Sequence, residues 1–269
     1  MNFKDVVRAG PRFIVICALV LLIFIAWAYV LWVRAGMMAP SPDMPSMTMA
    51  EMAAMASPGF TAWNAGHFYF IFAMWAVMMV GMMLPTVMPM LLLYTRLAQS
   101  APGLVFASTA WFAGGYLLAW TGFSLFATMA QYGLERFALL TPMMEGASRV
   151  FGGTVLVIAG LYQWTTLKIA CLAQCRAPLS FVQQHGGFRP GKMQALRLGV
   201  LHGGYCVGCC WALMALLFVG GVMNIFWIAG LMIFMLAEKI LPGGRALSRL
   251  GGVAAIAGGL WYFAAALNP

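Results

Sequence analysis

Apolar residues fall in seven long windows, near 13–34, 67–93, 104–130, 148–170, 199–220, 222–241 and 247–267, separated by short polar joints. Each window holds about 20 residues or more, the length a helix needs to cross a hydrocarbon layer at a rise of about 1.5 Å per residue. The pattern predicts an all-α fold, a polytopic transmembrane helix bundle of about seven spans. Pro85 and Pro89 interrupt the second window. A proline lacks the backbone donor and crowds the preceding turn, so a kink or a partly unwound segment is expected there. Gly220-Gly221 leaves almost no chain between the fifth and sixth windows and predicts a tight antiparallel hairpin.

Composition agrees with the pattern. Hydrophobic residues make up 64% of the 269, charged residues only 8%, and the mean hydropathy is +0.91. A soluble domain carries about 25% charged residues, so an integral membrane protein is expected. Phe13 to Val33 exceeds the length of a signal-peptide core and is followed by no small-x-small cleavage site, so it reads as a retained anchor. The formal charge of +9 does not indicate nucleic acid, because the basic residues sit in short joints rather than on one soluble face.

Those basic residues set the expected orientation. With the N-terminus inside, the inner helix ends and joints hold Lys4, Arg8, Arg12, Arg96, Lys168, Arg176, Arg189, Lys192, Arg197, Lys239, Arg245 and Arg249. The outer side then holds only Arg34, Arg136 and Arg149. That asymmetry predicts a cytoplasmic N-terminus in a bacterial cytoplasmic (inner) membrane. Three regions follow: a tail and anchor helix at 1–34, a Met-rich extracytoplasmic loop at 35–66, and a metal-binding helix bundle at 67–269.

The candidate chemistry lies in the run His202-Gly-Gly-Tyr205-Cys206-Val-Gly-Cys209-Cys210-Trp211. On a helix His202, Cys206 and Cys209 fall at i, i+4 and i+7, with Cys210 beside them, along one stripe. Cys171 and Cys175 form a second i, i+4 pair, so five of the six cysteines occupy two short helical faces. The topology brings both faces to the cytoplasmic membrane level, together with Glu238. Soft thiolates with one imidazole suit copper(I), zinc or an iron–sulfur cluster, and a reducing compartment argues against a permanent disulfide. Cys17, alone in the first window, reads as a packing residue. Glu238 reads either as an ion pair with Lys239 or as a functional acid at membrane depth. The basic, mildly amphipathic joint 176–197, with Leu179, Phe181, Val182 and Phe188, is expected to lie on the membrane surface and close over the thiols.

The methionines shift the choice of metal. The chain has 23, concentrated in two places. The outer loop includes Met44, Met47, Met49 and Met52, and the second window includes Met78, Met79, Met82 and Met83. Thioethers bind copper(I) but not hard cations, which favours copper over zinc; in the second window methionine also serves as apolar filler. His67, at the outer mouth of that window, is either a further ligand or an interface residue.

Three blocks resemble a known family. They are Trp75-Ala-Val-Met78-Met79-Val-Gly-Met82-Met83-Leu-Pro85, then Tyr162-Gln-Trp-Thr-Thr-Leu-Lys168-Ile-Ala-Cys171-Leu-Ala-Gln-Cys175-Arg176-Ala-Pro178, then His202 through Met214. Together they resemble the bacterial predicted metal-binding integral membrane proteins, over about residues 65 to 245. The resemblance implies metal binding at Cys171, Cys175, His202, Cys206, Cys209 and Cys210. The anchor and the Met-rich loop lie outside the matched blocks.

Three functions stay open on the residues. The first is a copper-handling membrane protein that captures the ion and transfers it, or delivers it to a membrane oxidase. The others are a thiol/redox subunit of a membrane oxidoreductase complex and a structural zinc-binding assembly subunit. No hydrolase constellation or phosphate loop is present, so binding and transfer are expected rather than catalysis by this chain alone. The expected partners are the lipid bilayer and a metal-acceptor protein or membrane complex.

Overall fold

The computed structural model describes residues 3–38, 63–99, 105–141 and 144–267, and over these it is all-α. Ten helices follow one another: α1 (Phe3–Met38), α2 (Ala65–Ala98), α3 (Val105–Arg136), α4 (Arg149–Tyr162), α5 (Thr166–Arg176), α6 (Pro178–Gln184), α7 (Lys192–Ala215), α8 (Leu217–Gly220), α9 (Ile225–Ile240) and α10 (Gly244–Leu267). Met44, Met47, Met49 and Met52 lie outside the described residues.

Among the described residues, four stretches are long and apolar enough to cross a membrane: Gly10–Gly36 of α1, α2, Lys192–Gly220 and α10. A fifth appears if the bent pair α4–α5 counts as one span. The sequence windows predict seven, and the other two fall short for different reasons. Helix α9 has only 16 residues. Helix α3 has 32 residues, but its buried face carries Ser108, Thr109, Ser124, Thr128 and Gln131, which dilute its apolar character. The hydroxyls of Thr109, Ser124 and Thr128 each donate to a carbonyl one turn earlier, so their burial leaves no unmet donor.

Helix α2 runs unbroken through Pro85 and Pro89, contrary to the expected unwinding. Two hydroxyls add bonds within this stretch. Thr86 Oγ1 donates to the Met83 carbonyl at 2.9 Å, and Tyr116 of α3 donates to the same oxygen at 3.2 Å. The turn after Gly220 is as short as predicted, with Gly221 at φ 91°. Helix α9 nevertheless packs on α2, α10 and α5 as well as α7, rather than forming a simple hairpin.

The most extensive helix contact is α3 against α7. Its closeness depends on glycine: a Cβ at Gly199 would collide with the Phe112 carbonyl, and one at Gly115 with the Leu196 carbonyl. Such small-residue contacts let two backbones touch. Helix α4 meets α10 in the same manner, with Gly153 against the Gly259 carbonyl. Helix α1 packs on α2 along Leu19, Ala26, Val30 and Val33 and exposes its remaining face. Cys17 is exposed on α1, so the packing role expected for it is not observed.

At the far end of α2 and α3 a polar chain ties the helices together. Trp63 donates to Glu135 (2.7 Å), Gln131 donates to Glu135 (2.9 Å), and Trp75 donates to Gln131 (2.8 Å). His67 lies at this mouth, its backbone N–H capped by Asn64 and its ring edge-on to Trp63 at 4.9 Å.

Candidate metal centre

The predicted fourth window, 148–170, is two helices meeting at a 65° bend. Helix α4 ends at Tyr162, and Thr165 starts α5 by accepting a hydrogen bond from the Lys168 N–H at 3.2 Å. Tyr162 itself donates to the Gly208 carbonyl of α7, which pins the bend to that helix. The change of direction turns Lys168 and Cys171 into the bundle and sets Cys175 against α7.

Three sulfurs converge there. The Sγ atoms of Cys175, Cys206 and Cys209 all lie within 4.8 Å of one another, and Cys175 and Cys209 are 4.0 Å apart. Among the described residues this is the one such group of three or more His, Cys, Asp or Glu side chains. A metal–sulfur bond of about 2.3 Å places the sulfurs of a trigonal site about 4 Å apart, so the spacing fits one soft ion. Cys206 and Cys209 are 1% exposed, and Cys175 is half-buried.

The other predicted ligands take different places. Cys210 is buried and donates its S–H to the Cys206 carbonyl at 2.8 Å, an oxygen that Cys209 also reaches at 3.1 Å. The Cys171 sulfur packs on Gly208, where a Cβ would lie 2.9 Å from it. His202 is buried one turn before Cys206, its ring centroid 5.0 Å from Phe181 and 6.1 Å from both Phe112 and Tyr116. Met78, Met79, Met82 and Met83 are all buried on α2. Met78 and Met82 lie beside Trp27 and Val30 of α1 and Ile228 of α9, a packing environment.

Glu238 is not paired with Lys239. It forms a buried ion pair with Lys168 at 2.8 Å, while the Lys239 ammonium donates to Cys206 Sγ at 2.9 Å and to Thr86 Oγ1 at 3.0 Å. Consecutive helical residues point about 100° apart, so these two reach different neighbours. Arg176 adds donors to the Glu238 and Pro242 carbonyls. Of these cations only the Lys239 ammonium reaches a sulfur, where it is placed to balance a buried thiolate.

Lys239, Thr86 and Tyr116 were not apparent as site residues in the sequence. Tyr116 lies 3.2 Å from Cys206 Sγ, and its hydroxyl links that sulfur to the Met83 carbonyl. A signal for Lys239 did exist: Ile228, Leu231, Met235 and Glu238 follow one helical stripe, and Lys239 continues it from Met235 at i+4. A lysine on an otherwise apolar buried stripe needs an anionic partner. Replacing Lys239 with Met, which keeps the stem but removes the charge, is expected to weaken the binding of a soft metal ion about tenfold by leaving the thiolates less compensated. Competition against a calibrated chelator of that ion measures this.

The joint after α5 contributes α6, whose Phe181 and Val182 are buried. Phe181 stands edge-on to both His202 and Tyr205, so the segment covers the helix that carries the thiols.

No curated protein and no solved structure matches the chain. A family model does, over residues 72–262, a range that contains every residue of this centre. Its description is a copper chaperone, and the chain accordingly belongs to the PpoB2 copper chaperone family.

Proposed function

We propose that this chain is an integral membrane copper(I) carrier that holds the ion on Cys175, Cys206 and Cys209 and passes it to an acceptor. The convergence of three sulfurs from two helices, 31 residues apart in sequence at its shortest separation (206 − 175), carries the reading. Thiolates are soft ligands and copper(I) a soft ion. A three-sulfur set suits copper(I), whereas structural zinc takes four ligands. Lys239 balances the charge of the bound complex, and Cys210 provides a further thiol next to it.

The route to the centre follows the Met79 and Met83 side of α2, since Met78 and Met82 are taken up by packing. Met74, Met78, Met79, Met82 and Met83 are buried along that helix. The 16 residues from His67 to Met83 span about 24 Å at the helical rise. The Met-rich segment before α2 captures copper on the outer side, where thioethers do not oxidise to disulfides. The bundle crosses a bacterial cytoplasmic membrane with its N-terminus inside, and the acceptor is a copper enzyme or a membrane oxidase under assembly.

The test is metal uptake. Protein purified under anaerobic, reducing conditions and titrated with copper(I) is expected to bind about one ion per chain in an all-sulfur environment, read by X-ray absorption. Protein that remains metal-free, or that takes zinc in preference, overturns the reading.

A further inference from the structure

His202 is one turn from the thiols but is not among the converging sulfurs' partners. It is 3% exposed, and its Nδ1 is buried with no hydrogen-bond partner among the described residues. An unsatisfied buried imidazole nitrogen costs about 1–3 kcal/mol, so a native fold that keeps one gives it another role. The ring lies among Phe112, Tyr116 and Phe181, and Tyr116 also touches Cys206 Sγ.

A second imidazole lies beyond Phe181. The His185 ring is 4.5 Å from Phe181, centroid to centroid, while His202 is 5.0 Å from the same ring. His185 Nδ1 is 2.8 Å from the Phe181 carbonyl. A carbonyl only accepts, so the proton is on Nδ1 and the lone pair of Nε2 is left for a ligand. His185 is half-buried where Phe181 is fully buried, so it marks the outer end of the row. These two and His67 are the only histidines in the chain.

The segment that carries Phe181 and His185 is short and ends in a glycine pair. Helix α6 has seven residues and is followed by Gly186 at φ 98° and Gly187 at φ 72°. Neither glycine has a neighbour within 4 Å of where a Cβ would be. Positive φ is accessible to glycine at little cost, so the chain can rotate there at the expense of the hydrogen bond from the Gly187 N–H to the Val182 carbonyl (2.9 Å).

We propose that His202 and His185 form an imidazole exit path for copper(I), with the Phe181 ring as the partition between them. The proposal rests on the thiol centre holding copper(I). The ion moves by ligand exchange without change of oxidation state. A Cu–S bond to Cys206 is replaced by a bond to an imidazole nitrogen of His202, and the thiolate left behind stays beside the Lys239 ammonium. Displacement of Phe181 then lets His185 take the ion at its Nε2 and present it to an acceptor at the α6 end of the bundle. Neutral imidazoles bind copper(I) less strongly than thiolates, so each step is reversible and the acceptor drives the transfer.

The experiment loads the full-length detergent-solubilised protein with copper(I) and follows its transfer to excess bathocuproine disulfonate by stopped-flow absorbance. Copper uptake is measured first for every variant. His185→Leu and His202→Leu are expected to load as the wild type does and to transfer about tenfold more slowly, as loss of a supporting ligand commonly does. Phe181→Ala is expected to transfer faster. Wild-type rates in both histidine variants overturn the exit path while leaving the thiol centre intact. Loss of loading in His202→Leu also overturns it, because His202 is then a ligand of the resting site. His185→Leu alters a half-exposed position, so its rate decides the matter even if His202→Leu fails to fold. A wild type that never loads copper refutes the thiol centre and the path together.

Discussion

A chain carrying Cys206→Ser and Cys209→Ser together is expected to bind no copper(I) where the wild type binds about one ion, because two soft thiolates become hard neutral hydroxyls. Both sulfurs are buried, so no water or buffer ligand readily takes their place. Serine is close to cysteine in volume and keeps a polar atom beside the Lys239 ammonium, and close contacts at Gly199 and Gly203 also hold the helix carrying both positions. The variant should therefore remain folded while losing the metal. Cys17→Ser provides the control, since Cys17 is exposed on α1 and outside the three-sulfur group. Metal analysis and the sulfur-to-copper absorption of the two variants, side by side, give the answer. Copper retained by the double variant would place the site elsewhere.

The second large effect concerns Lys168 and Glu238. Their side chains are 1% and 2% exposed, and one Glu238 oxygen, Oε1, has no hydrogen-bond partner among the described residues. Removing one charge leaves the other buried and uncompensated, which costs about 3–5 kcal/mol. Lys168→Met and Glu238→Leu are each expected to lower the thermal midpoint sharply and reduce the amount of folded protein. The double replacement Lys168→Met with Glu238→Leu is expected to recover most of the loss, because an apolar pair needs no compensation. The cycle of four proteins, compared by thermal unfolding in the same detergent, separates pairing from packing. Additive losses would show that the two residues act independently. The pair also holds α5 to α9, so its loss should loosen Cys175 from Cys209 and reduce copper affinity in parallel.

Much of this was legible in the chain. Period and length give helices because apolar runs of this kind cannot satisfy their backbone groups in lipid any other way. The i, i+4 and i+7 spacing from His202 to Cys209 describes one face of one helix, and that face is buried as the spacing predicts. The windows misjudged what depends on neighbours. Apolarity alone does not reveal that the run 148–170 bends by 65°, since the bend rests on the Thr165 cap and on Tyr162 reaching Gly208. Nor does it reveal that α2 stays helical at its prolines, inside a bundle where it packs on both α1 and α3.

The cysteines show the same division. By itself the sequence determined that five thiols lie on two helical faces and that their chemistry suits a soft ion. Local spacing fixes which side chains share a face, and ligand type fixes which metals they prefer. Only the tertiary structure decided which thiols meet: Cys175, Cys206 and Cys209 converge, Cys171 turns to Gly208, and His202 enters an aromatic cage. It also decided that Lys239 serves the sulfur of Cys206 while Glu238 serves Lys168. Contacts between α5, α7 and α9 depend on bend angle and on the depth at which glycine lets helices approach. Those quantities are set by the packing of the whole bundle, which no single stretch of sequence contains.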